Sequence, residues 1–338
     1  MAELVTRGLD ELLLEPPNGA DWVVEDLIAV GLHLLVGPPK VGKSWLSLLL
    51  ALSVSAGDPF LGFATSKAGV LYLALEDTFE RVKQRSWRLV DEARGELRFA
   101  VASEGVATGL IAQLRAHLAA FPGTRLVIVD TFQMIRPASR FENPYAADYR
   151  DLSPLKEFAD ANALACVVVH HTRKASDSDV LNTVSGTTGI TGCADSTMVL
   201  SNVSRAAGNA TLTVAGDDRE FMEMRVRFSN CRWELVGVTS REELEERDVP
   251  DDVLRVIDFM SGQAAAWRGT ATELYSEAGV ECVSVATFGK HLAQHADFML
   301  ERGIDYGRVH AAHGSVLSLR SIDVASGEEW SNAGKAKG

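Results

Sequence analysis

The chain has 338 residues, 46% of them hydrophobic and 23% charged, with a formal net charge of −13. That balance suits a sizeable buried core and excludes general disorder; the acidic sign opposes a whole-surface nucleic-acid binder, so any such contact must be local. Cys166, Cys193, Cys231 and Cys282 stand far apart with no CxxC pair, which argues against a zinc cluster or a disulfide scaffold and fits a reducing cytoplasm.

Residues 1–20 read as a poorly ordered lead-in closed by the turn-prone Pro16-Pro17-Asn18-Gly19, without signal-peptide order. The longest apolar stretch, residues 45–56, is too short to span a bilayer, so a soluble protein with no membrane partner is expected. Residues 21–237 alternate strand-like and helix-like segments. Strands are predicted at 31–36, 69–75, 97–100, 126–129, 165–170, 196–200, 211–215 and 224–228, and helices at 44–55, 79–92, 109–120 and 149–162. Continuous Val/Leu/Ile runs suit strands covered on both faces, so the fold class is α/β with a mainly parallel central sheet. Residues 238–250 form a linker with a charged run at 241–248, read as a solvated connection or helix face. Residues 251–325 change texture, with helices predicted at 253–260, 270–278 and 285–300 and a two-stranded wing around His313-Gly314; 326–338 read as a flexible tail.

The strongest motif is Gly37-Pro38-Pro39-Lys40-Val41-Gly42-Lys43-Ser44, which matches GxxxxGK[ST] between an apolar strand and a helix that continues with Trp45. Its backbone N–H groups can cradle phosphate oxygens at a helix N-terminus. Lys43 is expected to neutralise the β- and γ-phosphates and the Ser44 hydroxyl to hold Mg²⁺, so ATP and Mg²⁺ are the expected cofactors. The apolar run 126–129 ends in Asp130, the Walker B pattern and the second metal anchor; an Asp there can also merely cap a turn. The run 71–75 ends in Glu76-Asp77. Glu76 is the expected water-activating base, with a simple cap as its alternative; Asp77 is expected to cap the next helix, with Thr78 as rival. His170 and His171 end a third apolar run, and strand alternation lets only one of them face the phosphates.

Together with Gly57–Gly62 and the Gly/Ser/Thr-rich stretch 185–200, these segments make residues 21–237 resemble the RecA-fold ATPases related to the plasmid replicative helicase RepA, similar to the motor of DnaB-type hexameric helicases. The resemblance implies an ATP-hydrolysing motor in replication of a plasmid, phage or integrative element. It implies a homo-oligomeric ring or filament, single-stranded DNA as a partner, and contacts with replication or recombination proteins. By it, Lys43 and Ser44 are the nucleotide and magnesium residues, Glu76 is the catalytic glutamate, Asp130 is Walker B, His171 senses the γ-phosphate with His170 close behind, and Arg85 can serve a neighbouring subunit's site. Relatives often carry Gly-Arg-Asp where this chain has Gly216-Asp217-Asp218; Arg219 is displaced by two positions, and it or Arg225 must substitute if a finger operates.

The resemblance to RecA-type rings also implies DNA at loops 136–150 and 172–189, where Arg136, Arg140, Arg150, Arg173 and Lys174 stand with Phe141, Tyr145 and Tyr149 interleaved; loops that bind nothing until nucleotide arrives are the alternative. Residues 251–323 look like a winged helix whose candidate recognition helix carries Thr287, Lys290, His291 and Gln294. Ten acidic against six basic side chains there weigh against phosphate contact and leave protein docking open. A recombination mediator, loader or ATP-gated DNA-binding regulator without unwinding activity is the alternative function.

Overall fold

The computed structural model describes residues 6–14, 21–137, 144–171, 192–204, 208–216, 219–262, 266–311 and 314–322. Two compact units divide the chain, Met1–Thr239 and Ser240–Gly338.

The first unit contains α1 (Leu9–Leu14), a short hairpin of β1 (Trp22–Val24) and β2 (Ile28–Ala29), and then β3 (Gly31–Gly37), α2 (Lys43–Ala56), β4 (Gly69–Ala74), α3 (Phe79–Ser86), β5 (Leu97–Ala100), α4 (Leu110–Ala120), β6 (Thr124–Asp130), α5 (Pro144–Ala161), β7 (Ala165–His171), β8 (Ser196–Ser204), β9 (Asn209–Gly216), β10 (Arg219–Ser229) and β11 (Arg232–Val238). Among the described residues nine strands form one sheet in the order β11-β10-β9-β8-β3-β7-β6-β4-β5. From β8 to β5 every pairing is parallel; β9, β10 and β11 extend the sheet antiparallel. Parallel strands need crossover helices, which bury both sheet faces. One face packs against α2 through Leu35, Val70, Ile128 and Val167. The other packs against α4 and α5 through Leu34, Leu73, Val129 and Val168. The apolar runs of the sequence are these doubly covered strands.

Several boundaries differ from expectation. The lead-in carries α1, whose Leu9, Leu13 and Leu14 are exposed. The helix expected over 79–92 stops at Ser86, whose hydroxyl donates to the Val82 carbonyl while the chain turns to bury Leu89. Strands β1, β2 and β11 were not anticipated. The loop expected over 136–150 is helical from Pro144 onward.

The second unit comprises α6 (Arg241–Asp248), α7 (Asp251–Ser261), β12 (Trp267–Gly269), α8 (Ala271–Glu277), α9 (Val285–Gln294), α10 (Ala296–Glu301), β13 (Ile304–Ala311) and β14 (Gly314–Ser321). The charged run is α6, started by a capping box between Ser240 and Glu243. The helix expected over 285–300 divides at His295, whose φ of −109° and ψ of 24° leave helical geometry. The two-stranded wing becomes a three-stranded sheet, β12-β14-β13, because Trp267–Gly269 pairs with Leu317–Leu319. Val253, Val256, Leu274, Phe288, Leu292 and Leu319 build its own core. Beneath α7 the fully buried Asp252 carboxylate accepts from His291 Nδ1 at 2.9 Å, so His291 is a structural partner and not an outward-reading side chain.

Candidate functional site

Period-two alternation decides which strand-tip side chains can meet. On β6, Leu126 and Ile128 face α2, so Asp130 does too. The same parity on β4 places Tyr72 beside Val70 and Ala74 on that face. On β7, Val167 and Val169 face α2, which brings His171 to the same side and turns His170 to the opposite one, where its ring stands edge-on to Phe132 at 5.7 Å. Register completes the assembly: Gly37 lies opposite His171, and Ala74 lies opposite Asp130. All these tips lie at the carboxyl ends of parallel strands, where open α/β sheets bind ligands.

Between β3 and α2 the chain turns tightly through Lys40 (φ 64°) and Gly42 (φ 107°). The Gly42 conformation is one that side chains rarely adopt, and a Cβ there would meet the Trp233 ring at 2.8 Å. Lys43 opens α2 and is buried, its Nζ donating to the carbonyls of Gly37 (2.7 Å) and Pro38 (3.0 Å) and lying 3.1 Å from His171 Nδ1. Burial lowers the Lys43 ammonium to about 8, against the pull of the Asp130 and Glu76 carboxylates. Burial and the neighbouring Lys43 charge lower His171, so its ring is neutral and can accept from the ammonium.

Asp130 is buried and receives two hydroxyls, from Tyr72 at 2.8 Å and from Ser44. Burial raises its carboxyl, while both hydroxyls hold it down. Glu76 stands just past β4, exposed, and its Oε1 accepts from Thr131 Oγ1 at 2.9 Å. Neither Glu76 nor Asp77 caps α3. Thr78 does, accepting from the Arg81 N–H, and Asp77 instead pairs with Arg81 and, at 2.5 Å, with Arg85. Arg85 also lies over the Trp45 ring, so on this chain it is held beside the site.

The oxygen set of Ser44 and Asp130 suits a hard cation that takes its remaining ligands from phosphate and water. Tyr72 was not anticipated from sequence, nor were Thr131 and Trp233. Removing the Tyr72 hydroxyl leaves the buried Asp130 carboxylate one donor short. A hydrogen bond to a charged acceptor is worth about 1.5–3 kcal/mol, so Tyr72→Phe is expected to raise the Mg²⁺ concentration for half-maximal nucleotide binding about tenfold. A Mg²⁺ titration of nucleotide binding checks this; an unchanged midpoint contradicts it.

The expected DNA contacts are placed only in part. Arg136 and Arg150 both pair with the buried Asp151, and Arg136 also covers Phe132. Lys290 is exposed on α9. Arg219 begins β10. Arg140, Phe141, Arg173, Lys174 and Asp217-Asp218 lie outside the described residues, as does the whole of the loop 172–189.

Comparison with known proteins bears on the family and the fold. Residues 4–177, just over half of the chain, match a family described as an AAA domain, AAA_25. One solved structure, of an isolated ATPase domain, is 14% identical, with a TM-score of 0.51 over 62% of this chain and 85% of that one. A DnaB-like replicative helicase, solved with attention to its interactions with primase, is also 14% identical at a TM-score of 0.51. That alignment covers 60% of this chain and 57% of the helicase, so the chain spans little more than half of that protein. The chain belongs to the AAA_25 family of AAA-domain proteins and carries the RecA-like ATPase fold of DnaB-type helicases.

Proposed function

We propose that the first unit binds Mg·ATP and hydrolyses it, as the motor of a helicase-like oligomer that acts on single-stranded DNA during replication. The observation that carries this reading is the convergence of Lys43, His171, Asp130 and Glu76 from three strand tips and one helix start. The Lys43 ammonium is satisfied by two loop carbonyls; phosphate oxygens would replace them, and α2 directs its N-terminal N–H groups at the same place. Bound Mg²⁺, on Ser44 and Asp130, would offset charge on the β- and γ-oxygens. Glu76 is exposed to solvent and anchored at Oε1 by Thr131, and its other oxygen would take a proton from attacking water. His171, touching Lys43, would exchange that contact for one to the γ-phosphate and so register its loss.

The lowered Lys43 ammonium gives a pH signature. It is charged below about 8 and neutral above, so nucleotide affinity is expected to fall as pH rises through about 8. The stability of the fold without nucleotide should move the other way. The folded chain binds fewer protons than the unfolded one between that value and the ordinary lysine range, so its stability rises with pH there. Calorimetric affinities and melting temperatures across this window check both signs.

Three observations favour a second reading, an ATPase that gates protein contacts without unwinding. Arg136 and Arg150 are engaged by Asp151, Arg85 is engaged by Asp77, and residues 251–323 are net acidic. The second unit's order of helices and strands fits a winged helix that docks protein as well as one that binds DNA. Strand displacement on forked DNA separates the two readings: the first predicts ATP-dependent unwinding, the second DNA- or partner-modulated hydrolysis without it. Mass measurement with and without ATP and single-stranded DNA reads the oligomer.

A further inference from the structure

The sheet's antiparallel extension does more than widen it. Hairpin β10–β11 reaches back over the start of α2, and at its tip it touches two other segments of the first unit. Trp233 on β11 is buried, and its indole N–H donates to the Gly42 carbonyl at 3.1 Å. Its ring packs on Phe228 at 5.1 Å, and Phe228 packs on Trp45 at 6.0 Å, so an aromatic layer joins the hairpin to the first turn of α2. One residue away, Arg232 donates to the Leu89 carbonyl at 2.9 Å, and Arg88 lies within 3.5 Å of Cys231 Sγ. The hairpin thus ties the phosphate loop on one side to the chain following α3 on the other.

The Gly42 carbonyl also accepts the first helical bonds, from the N–H groups of Trp45 and Leu46 at 3.1 Å each. The indole is a third donor to this oxygen, sharing it with the helical N–H groups and restraining it from outside the helix. Across a planar trans peptide, C=O and N–H point in opposite directions. Whatever fixes the Gly42 carbonyl therefore aims the Lys43 N–H outward, to where phosphate oxygens must come. The ring also stands against the Gly42 α-carbon at a distance that admits no side chain, which keeps the loop in its left-handed turn.

We infer that Trp233 is a positioning residue for the phosphate loop, holding the Gly42–Lys43 peptide in the orientation that binds the nucleotide's phosphates. This inference rests on the reading of the loop as an ATP site. Trp233 touches no reacting atom, and Glu76 and Asp130 stand on other strands, so its loss should weaken binding and leave the chemical step alone.

The test is Trp233→Phe, which keeps an aromatic ring and removes the N–H, studied in the full chain. The dissociation constant for Mg·ADP and the KM for ATP are expected to rise about fivefold, the size of one neutral hydrogen bond, with kcat within about twofold of wild type. A merely structural role would lower the melting temperature or kcat with KM unchanged, and that result overturns the inference. Where Trp233→Phe fails to fold, Arg232→Met releases the hairpin at its other anchor. A KM raised about twofold supports the inference, as half the effect of a hydrogen bond felt at second hand; a wild-type KM overturns it. Wild-type protein that binds no Mg·ADP would overturn the ATP-site reading itself, an outcome distinct from wild-type binding that Trp233→Phe leaves unaltered.

Discussion

Replacing Lys43 with alanine is expected to weaken nucleotide binding at least about 100-fold without destabilising the protein that carries no nucleotide. The ammonium is buried against two carbonyls and a neutral imidazole, and burial lowers it to about 8. Its charge is therefore held at a cost in the fold, one that phosphate oxygens would relieve. Removing it sacrifices charge-assisted bonds to phosphate worth about 1.5–3 kcal/mol each, so affinity should fall at least about 100-fold. A ligand at about 100 times its dissociation constant stabilises a fold by about 2.7 kcal/mol, which a thermal scan resolves easily. Wild type should melt later with Mg·ATP than without it; Lys43→Ala should melt at one temperature in both. A retained nucleotide-dependent shift in the variant would remove Lys43 from the site.

The second large effect belongs to Glu76. Glu76→Gln preserves shape and keeps an oxygen for the Thr131 hydroxyl, so the turn after β4 stays in place. What disappears is the ability to accept a proton. General-base catalysis contributes about 10²–10⁴ in rate, and kcat is expected to fall by about that factor while ATP affinity stays within about twofold. The split between binding and turnover identifies a base, because a residue that only shaped the loop would change both. Turnover that survives the substitution assigns the base elsewhere.

These residues were legible to different degrees, for physical reasons. The phosphate loop, Asp130 and the buried strands could be read because each is local: a fixed spacing, or an apolar run ending in a carboxylate. Alternation along a strand is local too, and it foretold that His170 and His171 turn to opposite faces of the sheet. Register across strands is not local. Nothing near Tyr72 in sequence announces that its hydroxyl meets Asp130, 58 positions away, and the N–H of Trp233 meets Gly42 across 191. Strand β11 escaped notice because Leu235, Val236 and Val238 put apolar side chains on both parities, so no clean alternation marks it. Asp77 was misread as a cap because Asp and Thr are both good N-caps; the choice fell to Thr78 once Arg81 and Arg85 claimed the carboxylate. The arginines expected on DNA were read from their place in loops and from the aromatics between them, neither of which announces the buried Asp151 that engages Arg136 and Arg150.

A triphosphate seated among these four side chains would be seen in the structure of Glu76→Gln bound to Mg·ATP. The expected result is a γ-phosphate within hydrogen-bond reach of Lys43 Nζ and His171, with the metal beside Ser44 and Asp130. Nucleotide bound away from the Gly37–Ser44 loop, or a γ-phosphate that leaves the Lys43–His171 contact intact, would contradict it.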